Sequence, residues 1–160
     1  MELGLVSLQR REDVASMGFR DICDGRLHVE QGKTDTRLRI PVSLNLHAVN
    51  WSIEEIIKRC RDNVVSRHLL HHTVHQGRAK PGDAVHPQTI TGAFREAREI
   101  AGIVTPEDKT PATYHELRSL GIRLYQQQGY DPQALAGHKD AGTTAIYKDN
   151  RGAEWIDVAA

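Results

Sequence analysis

Between Thr113 and Tyr147 the chain reads TYHELRSLGIRLYQQQGYDPQALAGHKDAGTTAIY, a helical pattern interrupted at Gly129 and Gly137. This run carries four polar side chains, His115, Arg118, His138 and Tyr147, and no other stretch constrains the chain as much. His115 and Arg118 are three positions apart, so a helix projects both from one face, where two donors can grip one anion. His138 follows a glycine, and a turn there can return it to that face. Tyr147 stands nine residues further on, near enough for a short helix or loop to deliver a phenol to whatever the donors hold. Phosphate is the guest that such a set suits.

The apolar positions around these residues give the local elements. Leu117, Leu120, Leu124 and Tyr125 predict an apolar stripe on a helix from about Thr113 to Gln128, capped by Gly129. Asp131 and Pro132 predict a shorter helix, with Asp as N-cap, Pro in the first turn and Leu135 turned inward.

Upstream, Met1 to Leu8 is mostly apolar and lacks a capping residue ahead of it, so the chain seen here is expected to start inside a helix, as a fragment or an internal start would. Arg10 to Met17 predicts a second short helical segment ended by Gly18. From Arg26 to Pro41 the period falls to two: Leu27, Val29 and Gln31 alternate with Arg26, His28 and Glu30, which predicts a β-hairpin with Gly32-Lys33-Thr34-Asp35 as its turn. Ser52 and Glu55 form a capping box ahead of Ile53, Ile56 and Ile57. Arg67 to His75 is expected to be a short buried strand. A helix is expected from Pro87 or Gln88 through Ile90, Phe94 and Ala97 to Gly102, and the tail from Trp155 to Val158 alternates as an edge strand would. The expected class is α+β, mainly helical with a small antiparallel sheet.

Composition narrows the function. A chain of 160 residues suits one domain and buries a sizeable core without staples. Cys23 and Cys60 form no CxxC pair, and no apolar run approaches the length of a membrane span, which together favour a soluble protein of the reducing cytoplasm. Net charge is zero, with 21 basic and 21 acidic residues, whereas a self-sufficient DNA-binding domain usually carries a basic surplus. His68, His71, His72 and His75 include i, i+4 pairs, yet no carboxylate or Cys completes a ligand set within that segment, so no metal is expected.

Each of these features alone has an ordinary structural explanation; their order along the chain does not. Gln9-Arg10 with Asp13 three on, Lys33 at a hairpin tip, His115-Glu-Leu-Arg118, Gly137-His138, and Tyr147 nine beyond that histidine resemble the tyrosine recombinases, the phage integrase family. The likeness extends to Val29-Glu-Gln-Gly-Lys33-Thr, Tyr114-His-Glu-Leu-Arg-Ser-Leu120 and Arg151-Gly-Ala-Glu-Trp155. It implies a catalytic domain that cleaves and rejoins DNA through a 3′-phosphotyrosine, without cofactor or metal, in the cytoplasm of a bacterial host. It implies six catalytic residues: Arg10 and Arg118 on the phosphate, Lys33 as acid, His115 and His138 as hydrogen-bonding partners, and Tyr147 as nucleophile. Asp13 matches an acidic position that supports the first arginine.

The family usually has Thr-Gly before that arginine. Ser7-Leu8 stands here instead, so the turn that aims Arg10 loses its permissive residue. The expected partners are double-stranded DNA at attachment sites and other recombinase protomers in a synaptic tetramer, with no membrane and no small-molecule substrate. The chain is expected to be one catalytic domain over residues 1–160, truncated ahead of it so that the family's core-binding and arm-binding domains are missing. Two alternatives stand beside this: a type IB topoisomerase, which shares the chemistry but relaxes supercoils, and a prophage remnant that binds DNA or a partner without catalysis.

Overall fold

The computed structural model describes residues 1–137, so His138, Tyr147 and the tail expected to form an edge strand lie outside the described residues. Six α-helices, one 3₁₀ turn (Phe19–Asp21) and two small antiparallel sheets make up the described part. The helices are α1 (Glu2–Ser7), α2 (Arg11–Ser16), α3 (Ile53–Arg59), α4 (Pro87–Ile100), α5 (Glu116–Gln127) and α6 (Gln133–Ala136). Strands β1 (Ile22–Cys23), β2 (Arg26–Glu30) and β3 (Arg37–Pro41) form one sheet, and β4 (Asn45–Leu46) and β5 (Trp51–Ser52) the other. The α+β class is the one expected.

Helix α1 is the centre of the packing. Leu3, Gly4, Leu5, Val6 and Ser7 are all buried, as an all-round apolar helix requires, and α1 packs on α5, α3 and α2. Its approach to α5 is close enough to exclude side chains at Gly121, where a Cβ would sit 2.4 Å from Leu8 Cδ2 and 2.6 Å from the Leu5 carbonyl oxygen. Tyr125 crosses the same seam and donates its hydroxyl to the Val6 carbonyl at 2.8 Å.

The hairpin forms as its alternation predicts. Leu27 pairs with Ile40 and Val29 with Leu38, and Leu27, Val29 and Ile40 point into the core. Gln31, next in the inward series, is completely buried. The capping box at α3 is also present: Ser52 Oγ accepts the Glu55 N–H at 3.2 Å, and the Glu55 carboxylate accepts the Ser52 N–H at 2.9 Å. Helix α4 begins at Pro87, where a missing N–H costs nothing.

Several expectations need correction. Arg67 to His75 forms isolated bridges, Gly18 with His68 and His71 with Ala84, and no strand; Leu69 alone of its apolar residues is fully buried. Gly18 does not end α2 through a left-handed turn, since its φ is −128°. A side chain there would clash with the Arg67 carbonyl at 2.6 Å, and that close approach is its structural reason. The buried stripe of α5 runs through Arg118, Gly121, Ile122 and Tyr125, and Leu120 is exposed. Helix α5 starts at Glu116, later than expected, and α6 begins at Gln133 with the Asp131 carboxylate accepting the Gln133 N–H at 3.1 Å.

Candidate active site

Arg10, Lys33, His115 and Arg118 line one open cleft of about 1160 Å³, together with Arg11 and Asp13. Three separate segments deliver them: the start of α2, the hairpin loop, and the turn leading into α5. His138 and Tyr147, the other two candidate residues, lie outside the described residues.

The His115-Arg118 pair shares the cleft because the chain tightens before α5. Glu116, Leu117 and Arg118 donate their N–H groups to the carbonyls three residues back, at Thr113, Tyr114 and His115. In such a 3₁₀-like turn the side chains at i and i+3 eclipse one another. Thr113 fixes the turn, with its N–H 2.7 Å from the Glu116 carboxylate. Burial pushes the Glu116 carboxyl up, but hydrogen bonds from the Thr113 hydroxyl and N–H outweigh it and hold the group below its ordinary value.

Arg118 is 2% exposed, and two backbone carbonyls help to aim it. Its Nη1 donates to the Leu8 carbonyl and its Nη2 to the Ala136 carbonyl. Leu8 offers that carbonyl from the left-handed region, at φ 56° and ψ 23°. The conformation expected of the family's glycine is therefore kept by a leucine, at a cost of about 1 kcal/mol or more that complete burial of its side chain offsets.

Arg10 caps the start of α2 from extended backbone and lends Nη1 to Gln31 Oε1 at 3.3 Å. Lys33 is exposed at the loop tip, but its neighbours are tethered. Gly32 donates its N–H to Asp13 Oδ1 at 3.0 Å, and Thr34 Oγ1 donates to Gln31 Oε1 at 2.8 Å. Asp13, which the family resemblance assigns to Arg10, thus spends its hydrogen bond on the lysine loop. Arg11 bridges to α4 through Thr91 Oγ1 at 2.6 Å and pairs with Glu12, whose carboxyl that hydrogen bond draws below its ordinary value.

Two residues of the cleft's support were not assigned a role from sequence, Gln9 and Gln31. Both are buried, and Gln31 Nε2 donates to Gln9 Oε1 at 2.7 Å. The available signal was the inward register of Gln31 after Leu27 and Val29, a polar group where the strand's period calls for a core residue.

Tyr114 also lines the cleft, yet it is unsuited to attack a phosphorus atom. Burial pushes its phenol up to about 12, and its hydroxyl faces Gly4, where a Cβ would lie 2.1 Å away. Of the histidines at 68, 71, 72 and 75, the first two sit at isolated bridges and the other two in irregular chain. His71 places Nδ1 3.0 Å from the His68 carbonyl and Nε2 3.1 Å from the Asp62 carboxylate, and no group of three metal-ligating side chains forms among the described residues.

Three guanidinium groups, an ammonium and an imidazole gather around one open cleft on an α+β scaffold, a donor set that suits a phosphate group. The chain belongs to the phage integrase family, whose sequence model matches residues 1–154. The prophage integrase IntE of Escherichia coli (strain K12) is 46% identical over 159 residues, which is 99% of this chain and 42% of that protein. A lambda integrase dimer (residues 75–356) bound to a COC′ core site superposes with a TM-score of 0.84 at 35% identity, over 99% of this chain and 53% of that one. A lambda integrase tetramer bound to a Holliday junction gives 0.84 at 34% identity, over 99% and 43%. The chain spans less than half the length of the curated relatives it matches. No helix among the described residues is long and apolar enough to cross a membrane.

Proposed function

We propose that residues 1–160 act as one catalytic unit of a site-specific DNA recombinase, which breaks and rejoins strands at phage attachment sites in the cytoplasm of a bacterial host. The observation that carries this reading is the convergence of Arg10, Lys33, His115 and Arg118, from three distant segments, on one cleft. Its partners are double-stranded DNA and further protomers of a synaptic assembly, as the dimer and the tetramer of lambda integrase suggest.

In this mechanism the two guanidinium groups bind the nonbridging oxygens of the scissile phosphate and stabilise the charge of the pentavalent transition state. The Tyr147 oxygen attacks phosphorus, and its proton passes to His115. The bond from phosphorus to the 5′ oxygen breaks, and the Lys33 ammonium supplies the proton that oxygen needs to leave. His138 hydrogen-bonds the phosphate. The product is a 3′-phosphotyrosine and a free 5′ hydroxyl. Attack by a 5′ hydroxyl from another strand reverses each transfer and returns the phenol, so no nucleotide is consumed.

The test is covalent capture. The wild-type chain on a nicked duplex that loses its short 5′ product should yield a protein–DNA adduct that survives denaturation. Tyr147→Phe should yield none while retaining salt-sensitive binding. An adduct from the Phe variant removes Tyr147 as nucleophile. DNA binding without an adduct from wild type would make the chain a binding remnant.

A further inference from the structure

We propose that Gln31 is a positioning residue for the strand-cleavage reaction, setting the Arg10 guanidinium and the Lys33 loop in one frame with Arg118. The proposal rests on the recombinase reading above. Gln31 is 0% exposed and all four of its hydrogen-bonding capacities are used. Oε1 accepts from Arg10 Nη1 at 3.3 Å and from Thr34 Oγ1 at 2.8 Å. Nε2 donates to Gln9 Oε1 at 2.7 Å and to the Ala136 carbonyl at 3.1 Å. That carbonyl also receives Arg118 Nη2.

The partners dictate which way the amide faces. An arginine can only donate and a carbonyl can only accept, so a flipped Gln31 would set like against like on both sides. Gln9 is fixed by the same logic, because its Nε2 reaches two carbonyls, Ser7 at 2.7 Å and Leu135 at 2.8 Å. Gly137 closes the arrangement: at φ +67° it lies so near Gln31 that a Cβ would stand 2.6 Å from the amide. One buried amide therefore touches the first arginine, the loop beside Lys33, the acceptor of the second arginine and the residue preceding His138.

Neutrality is part of the role. A carboxylate at this position would hold Arg10 in an ion pair and compete with phosphate for its charge, whereas an amide orients the guanidinium and leaves its charge for the substrate. Lys33 is bracketed on the other side by the Gly32 bond to Asp13, so loss of the Thr34 side-chain tether leaves the far end of the loop held only by its backbone bonds to Gln31 and loosens it.

The experiment compares wild type, Gln31→Met and Lys33→Met in the 160-residue chain. Methionine fills similar volume without hydrogen bonds. The first reading needs no chemistry: native-state trypsin should cut after Lys33 at least about tenfold faster in Gln31→Met at temperatures well below either melting midpoint. Equal rates would overturn the proposal.

The second reading is single-turnover adduct formation on nicked duplexes whose leaving group is an ordinary 5′ oxygen or a 5′ bridging sulfur, which departs without a proton. Gln31→Met should lose about 100-fold or more on oxygen, from misplacing both a phosphate donor and an acid, and recover at least about tenfold of that on sulfur. Lys33→Met should show the larger recovery, since its phosphate donors remain in place. Equal losses on the two substrates would mean general damage and would overturn the positioning role. If wild type forms no adduct on either, the recombinase reading fails, and the trypsin comparison still decides whether Gln31 holds the lysine loop.

Discussion

The carbonyl of Leu8 accepts a hydrogen bond from Nη1 of Arg118, and it does so from a backbone conformation that leucine rarely adopts. The arginine is held by the backbone turn that precedes Arg10. Arg10 and Arg118 are thus both referred to one short segment at the end of α1, and distortion there moves them together.

Arg118→Lys is the first consequence. A lysine keeps the charge but cannot reach the Leu8 and Ala136 carbonyls and a phosphate in one plane. Adduct formation should fall by about 10²-fold or more. Urea unfolding should show a loss of about 1–3 kcal/mol, because the Leu8 carbonyl loses the Arg118 donor and the Ala136 carbonyl keeps only Gln31 Nε2. An unchanged cleavage rate would take Arg118 off the phosphate.

Gly121→Ala should reverse the usual sign of its substitution. In an exposed helix the change stabilises by about 1 kcal/mol. Here the added Cβ meets Leu8 Cδ2 and, less forgivingly, the Leu5 backbone carbonyl at 2.6 Å, so α1 and α5 must separate. A net loss of about 1–2 kcal/mol is expected from overpacking, with a fall in cleavage because Leu8 moves relative to Arg118. Calorimetry alongside the adduct assay checks both.

What the sequence made legible was local. The hairpin, the capping box at Ser52 and the proline start of α4 each depend on residues within a few positions of one another, and each forms where the pattern puts it. The burial of α5 was legible only in part: Tyr125 is buried and Leu117 and Leu124 pack against the core as their spacing predicts. Leu120 looks like core by spacing, yet the helix rotates to bury Arg118 because carbonyls from Leu8 and Ala136, remote in sequence, satisfy the guanidinium. The apolar Leu69-Leu70 pair suggested a strand, but its backbone finds only single bridges to Gly18 and Ala84 flanking it. At the site, side-chain types and order singled out Arg10, Lys33, His115 and Arg118. Of the amide network beneath them only the inward register of Gln31 was visible, because the bonds joining Gln31 to Gln9, Arg10 and Ala136 are long-range.

Stability at alkaline pH should report on Tyr114. Its phenol is raised from an ordinary value of 10.0 to about 12 by burial, first of all, and then by the charge of Glu12. A folded-state value above the unfolded one contributes stability that is complete below about pH 10 and is lost as pH rises through about 12. Burial raises Tyr125 as well, so the wild type should weaken steeply across that window. Tyr114→Phe removes one of the two contributions. It also deletes a buried hydroxyl with no hydrogen-bond partner among the described residues, so the variant should match or exceed wild-type stability at neutral pH and lose less of it above pH 10. Denaturant melts at neutral pH and pH 11 measure the difference, and a steeper alkaline loss in the Phe variant would contradict the assignment.

Asp13 offers a last prediction, because its carboxylate sits at the base of the lysine loop and is 4% exposed. Only Oδ1 has a partner among the described residues, the Gly32 N–H; Oδ2 has none. Asp13→Asn preserves an acceptor for Gly32 and removes a buried charge, so loop and cleavage rate should stay within about threefold of wild type if tethering is its function. Asp13→Ala leaves the Gly32 N–H without that acceptor and should slow cleavage by about tenfold or more on an oxygen leaving group, with partial recovery on sulfur. If Asn proves as damaging as Ala, the negative charge itself matters, and Asp13 acts on the electrostatics of Arg10 rather than on the position of Lys33.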